Sequence, residues 1–204
     1  MALRVKIIGK DGLSGKLSKI GGRVVGLGKK FTKFGILAGG VLAGASMKVA
    51  TDFDKGIREV TTLMDNVTDS TIPNMVKELK KLATVSGDSL KSLTKAKYDI
   101  VSAGFGEAAE SAQVLVASTK LAIGGVTDTA KAADLLTTAL NAYQLEASDV
   151  DEVSDMMFMT VKMGKTTMDQ LAESLGQVLP FAKAGKMALD DVGASMAIMT
   201  ASGL

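Results

Sequence analysis

The most regular pattern of apolar positions lies close to the start of the chain. Leu13, Leu17, Ile20, Val24, Leu27, Phe31 and Phe34 are spaced 4, 3, 4, 3, 4, 3. This is the a/d spacing of three heptads and predicts an amphipathic helix over 13–34 with one apolar seam. On this register Lys16, Arg23 and Lys30 fall at g, Lys19 and Lys33 at c and Lys29 at f, while Gly21, Gly28 and Gly35 fall at e. Residues 2–8 alternate as a short strand, with Leu3, Val5 and Ile7 on one face, and Gly9 and Gly12 end it. The segment 34–47, FGILAGGVLAGASM, carries no charge. It is shorter than the roughly 20 apolar residues of a membrane-spanning helix. Its Gly35/Gly39 and Gly40/Gly44 pairs have the small-xxx-small spacing that lets helices approach closely.

Interior glycines cost about 0.8–1 kcal/mol each relative to alanine, and Gly21, Gly22, Gly26 and Gly28 all lie within the stripe. The helix therefore depends on something covering its seam. Three readings stand: a helix of a globular domain with a solvated basic face, a seam covered by another copy or a partner, and a helix on a membrane surface. Parallel self-pairing would set the basic g positions opposite no acidic e position. The cations thus call for an anionic surface nearby, whether lipid headgroups, nucleic acid or an acidic protein wall.

From residue 51 the pattern is helical almost throughout. Phe53, Ile57, Val60, Leu63, Met64 and Val67 keep a 3-4 spacing behind Thr51 or Asp52 as N-cap. Pro73 suits the first turn of a second helix that stops near Gly87. Further helices are predicted over 88–103, over 107–123 with Gly124-Gly125 as its end, and from Thr127 or Asp128 through Tyr143. Ser148 with Asp151, and Thr167 with Gln170, read as capping boxes opening helices to about Met163 and to about Leu179 before Pro180. A last helix covers Leu189 to Thr200. The fold class is all-α: a bundle or array of short helices (48–204), preceded by a short strand and a basic, Gly-rich helical arm (1–47).

Composition sharpens the division. The net charge of +2 conceals ten Lys or Arg against the single acid Asp11 in residues 1–50, and fourteen against twenty-one in the remainder. A basic arm precedes an acidic body. The chain of 204 residues has no His, Cys or Trp. That excludes Ser-His-Asp and Cys-His nucleophiles, His- or Cys-based zinc sites, dithiols and disulfides. Aromatic residues at 4% are too sparse for base stacking, which argues against sequence-specific nucleic-acid recognition.

The acidic clusters need no catalytic explanation. Asp149, Asp151, Glu152 and Asp155, and likewise Asp190 and Asp191, sit at helix starts where the macrodipole favours them. They lack the glycine and distal glutamate of a calcium loop, and the arm's glycines form no phosphate-binding motif. No catalytic, metal or cofactor residue is assigned, and the chain reads as no enzyme. Met156, Met157, Met159, Met163, Met168, Met187, Met196 and Met199 crowd the last fifty residues. They read either as ordinary core or as an adaptable docking face.

The run from Lys131 to Val161 and that from Thr166 to Leu204 resemble the core of phage tail tape measure proteins, in the branch first defined on lactococcal-type siphophages. The matching features are the helix Ala133–Tyr143, the helix Met168–Leu175, the Pro-Ala-Lys turn Pro180–Gly185 and the closing helix Leu189–Gly203. Lys48 to Val60 is similar to the family's entry helix, with Asp54 where glutamate is commoner. The resemblance covers 48–204 well and 1–47 loosely, and it implies the amino-terminal portion of a longer polypeptide. It also implies a structural protein in the lumen of a phage or phage-like tail tube, made in the host cytoplasm, which sets tail length and is released at genome delivery. The implied partners are the tail tube protein, other copies of itself, the tail tip or baseplate or the tail terminator, assembly chaperones and, transiently, the host membrane. Leu13, Leu17, Ile20, Val24, Leu27, Phe31 and Phe34 are then the oligomer seam, and Lys16, Lys19, Arg23, Lys29, Lys30 and Lys33 the contacts to an anionic surface. The alternative is a membrane-active protein whose 13–47 segment inserts into a bilayer.

Overall fold

A computed structural model describes residues 45–203. The strand expected at 2–8, the helix at 13–34, and the apolar segment up to residue 44 lie outside the described residues. Among the described residues there are eight α-helices and no strand. In chain order these are α1 (Ala45–Leu63), α2 (Thr71–Ser86), α3 (Leu90–Ser102), α4 (Ala108–Gly125) and α5 (Thr129–Tyr143). A 3-10 turn, Ala147–Asp149, leads into α6 (Val150–Met163), followed by α7 (Met168–Ala184) and α8 (Leu189–Ala201).

α5 is the centre of the body, packed against α3, α4, α6 and α7. Its alanines explain how four neighbours fit around one helix. Ala132, Ala133 and Ala139 are fully buried and keep the neighbouring axes close, while Leu136 and Leu140 fill the space between them. Leu93 and Ile100 of α3, Val114 and Leu115 of α4, and Leu171, Leu175 and Leu179 of α7 complete this core. Gly56 admits α1 to the same assembly, since a Cβ there would stand 2.6 Å from Thr94 Cγ2 on α3.

Side-chain bonds tie the starts of α3, α5 and α7 together at one end. Ser89 accepts from Ser92 N–H at 3.1 Å, and Asp128 accepts from Ala130 N–H at 2.7 Å. Thr167 and Gln170 exchange two bonds at 3.1 and 3.2 Å, the capping box read from the sequence. Across helices, Ser92 Oγ donates to the Asp128 carboxylate and Thr129 donates to Asp88. Asp169 accepts from Thr127 and, at 2.7 Å, from Lys131. Three helix N-termini brought together would repel through their dipoles, and carboxylates from Asp88, Asp128 and Asp169 offset this. Lys131 and Thr127 hold the Asp169 carboxyl below its ordinary range, and Asp169 in turn raises Lys131.

Several boundaries differ from the sequence reading. Thr51 and Asp52 cap nothing: α1 already includes Ala45, so both residues are mid-helix. The Ala-containing stretch before them has no breaker to stop the helix extending back. Gly124 and Gly125 remain inside α4, and Val126 takes the left-handed closing position at φ 54°. Gly125 serves packing instead, because a Cβ there would stand 2.7 Å from Met168 Cε. The box at α6 lies two residues earlier than Ser148/Asp151: Glu146 N–H donates to Asp149 Oδ2 at 2.9 Å. Pro180 does not end α7, which continues to Ala184, so the turn expected at Pro180–Gly185 starts only after it. Both Pro180 and Gly176, the residue four before it, are exposed. The carbonyl that proline leaves without a donor is therefore on the solvent side, where its loss costs least. Pro73 and Gly87 behave as read, the latter closing α2 at φ 79° with its N–H on Ala83 O.

Candidate interaction surface

Two places outside the central core bring together side chains of interest. The first is a cleft of about 440 Å³ bordered by Met64, Asn74, Met75 and Ala109, with Glu78 and Lys97 in its wall. Lys97 is 1% exposed, and its ammonium stands 3.3 and 3.4 Å from the two Glu78 oxygens. Burial pushes the lysine below its ordinary pKa, and Glu78 opposes that shift. The pair links α2 to α3. No sequence motif marks it, although one signal is present: Lys97 occupies the inward stripe of α3, four residues after Leu93 and three before Ile100.

The second is the outer face of α6 and α8. These helices lie side by side and point the same way. A Cβ on Gly193 would stand 2.5 Å from Met156 Sδ and 2.7 Å from Thr160 Oγ1. One turn further along, a Cβ on Gly164 would stand 3.2 Å from Ala197 Cα and 2.5 Å from Thr200 Oγ1. Lys165 N–H donates to Thr200 Oγ1 at 3.3 Å, fixing the register. Close parallel contact therefore follows from two glycines and from small residues between them.

Because the helices are parallel, like positions fall level. The exposed acids Asp151, Glu152, Asp155, Asp190 and Asp191 lie at the starting end of the pair. Towards the other end the exposed large apolar residues are Met159 and Met163 on α6 and Ile198 and Met199 on α8, while Phe158 turns to the α4 flank, its ring 3.2 Å from where a Cβ on Gly124 would stand. Of the eight late methionines only Met157 and Met168 are fully buried, and Met159, Met163, Met187 and Met199 are exposed. The core reading thus holds for two, and the docking-face reading fits the exposed ones better. α8 is apolar on nearly every side yet buries only Val192, Gly193 and Ala197. A helix of that composition normally has neighbours all round.

The seam residues Leu13, Leu17, Ile20, Val24, Leu27, Phe31 and Phe34, and the cations Lys16, Lys19, Arg23, Lys29, Lys30 and Lys33, lie outside the described residues. Among the described residues no group of acidic side chains is gathered to hold a metal ion. No helix among them is long and apolar enough to cross a membrane.

The geometry defines a class first: among the described residues, an all-helical protein with exposed large apolar side chains on α6 and α8. Comparison with known proteins gives the family. The chain belongs to the phage-related minor tail protein family, whose sequence model matches residues 74–204. It is 28% identical over 177 residues to the probable tape measure protein of Clostridium phage phiCD119, covering 85% of this chain and 19% of that protein. It is 26% identical over 191 residues to the tape measure protein of Pneumococcus phage Dp-1, covering 94% of this chain and 16% of that protein. The chain thus spans less than a fifth of the length of these curated relatives. No solved structure matches it.

Proposed function

We propose that these residues act within a tail tape measure, a structural component held in the tail tube lumen that fixes tail length during assembly and leaves at genome delivery. The observation that carries this reading is alignment along 85% and 94% of the chain to two tape measure proteins. The partners are the tail tube protein, further copies of the chain, and the tip, terminator and chaperone proteins of tail assembly. The likeness to the lactococcal-type siphophage branch belongs to the same proposal.

Within it, Leu13 through Phe34 form a seam between copies, and Lys16, Lys19, Arg23, Lys29, Lys30 and Lys33 face an anionic surface. Membrane insertion by 13–47 is the less favoured reading, since its uncharged run 34–47 is shorter than the roughly 20 apolar residues of a spanning helix.

The body is folded into helices of at most 19 residues, each about 28 Å long or less. A ruler instead needs chain lying extended along the tube. Inserting a helical segment of about 100 residues after Leu204 in the phage gene should lengthen tails by about 150 Å in negative-stain micrographs. Tails of unchanged length overturn the measuring role.

A further inference from the structure

We propose that the parallel α6/α8 face is the docking site for the basic amphipathic segment 13–34 of a second copy of this chain. The inference rests on the reading that the seam lies against another copy; what it adds is the surface the seam meets. Segment 13–34 contains six Lys or Arg and no acid. The exposed starts of α6 and α8 carry Asp151, Glu152, Asp155, Asp190 and Asp191; the exposed cations nearby are Lys186 just before α8 and Lys162 and Lys165 at the far end of α6. Asp151 also pairs with Lys120 of α4 at 3.3 Å.

An amphipathic helix laid along two parallel helices presents its apolar stripe to the exposed Met159, Met163 and Ile198. Its flanking cations then reach the acids at the other end of the face. Unbranched methionines re-pack around whatever seam they receive, which suits a partner helix weakened by interior glycines. Docking would cover the seam on which that helix depends, and would also cover the outer side of α8. Pairing two seams in parallel instead leaves the g-position cations opposite the glycines at e, without acids. α8 has 13 residues, about 20 Å of helix, so the face receives roughly three to four turns of the segment.

The chain has no cysteine, so single substitutions supply unique thiols. Full-length chains carrying Leu27→Cys are mixed with full-length chains carrying Met159→Cys, and the thiols are joined by a short bismaleimide. The mixed dimer should form in several-fold excess over both homodimers. Adding Asp190→Lys and Asp191→Lys to the Met159→Cys chain should cut its yield about tenfold, and Arg23→Glu with Lys30→Glu on the other chain should restore part of it. Circular dichroism checks that each variant keeps its helix content. Predominance of Leu27→Cys homodimers leaves contact between copies standing and overturns this site, as does predominance of Met159→Cys homodimers. Absence of any covalent dimer, with light scattering showing monomers alone, overturns both the site and the contact between copies.

Discussion

α5 and α8 have similar lengths and similar apolar content, and the fold uses them in opposite ways. α5 buries eight of its fifteen residues beneath four neighbouring helices, whereas α8 buries three of thirteen and leaves Ile198 68% exposed. The difference lies in what surrounds each helix. Alanines on α5 let four neighbours close around all but the stripe of Lys131, Asp134 and Asn141, while the two glycine contacts of α8 bring in α6 along one side only. An apolar helix thus does not by itself make a core; the small residues that admit neighbours decide whether its large residues are enclosed.

The contrast is open to direct attack by mutation. Leu136→Ala should lower stability by about 3–4 kcal/mol, because the cavity it leaves is walled by packed helices. Ile198→Ala should change stability by no more than about 0.5 kcal/mol. Urea unfolding followed by circular dichroism compares the two, and equal losses would break the distinction. Glu78→Gln ranks next, at about 3 kcal/mol near pH 7, because it strands the buried Lys97 charge; Lys97→Met should cost much less.

The pH dependence has a definite sign. Lys97 in the folded chain lies below the ordinary lysine value of 10.5, so between the two values the unfolded chain binds the extra proton. Stability from this group therefore rises as pH climbs through that window. Loss of Glu78 removes the opposing attraction and lowers the folded value further, so the Glu78→Gln deficit should shrink towards pH 10. A deficit that grows with pH would contradict the assignment.

Much of the central region was legible from sequence because its signals are local. Pro73, Gly87, the Asp128 cap and the Thr167/Gln170 box each act within one turn of chain, and each marks a real helix end. Misplaced features were those in which tertiary contacts reassign a local signal. Gly125 reads as a stop but makes room for Met168, and Val126 takes over the left-handed position. Pro180 also reads as a stop, yet on an exposed face its missing donor is tolerated. The candidate face was harder still to read. Late methionines suggested either core or docking, and only the Gly193–Met156 and Gly164–Ala197 approaches show that α6 and α8 stand parallel with their exposed residues level. Lys97 was legible only as a charge on an apolar stripe, and its partner on another helix was not.

Two smaller effects sharpen the same contrast. Gly193→Ala should cost about 1–2 kcal/mol by pressing on Met156 and Thr160, with the loss confined to the α6/α8 contact. Amide exchange in α3–α5 should stay as in the parent chain. Val126→Gly should stabilise by about 0.5–1 kcal/mol, since a β-branched residue at φ 54° is strained and glycine is not. A stabilisation of that size in thermal unfolding would show that the end of α4 is held by packing on Gly125 rather than by Val126.

The most direct test of a finished core carrying an unfinished face is amide hydrogen exchange of the 204-residue chain as protein concentration is raised. Protection in α6, α8 and segment 13–34 should increase together while α3, α4 and α5 stay constant. Uniform protection at every concentration, or a gain confined to 13–34, would contradict the account.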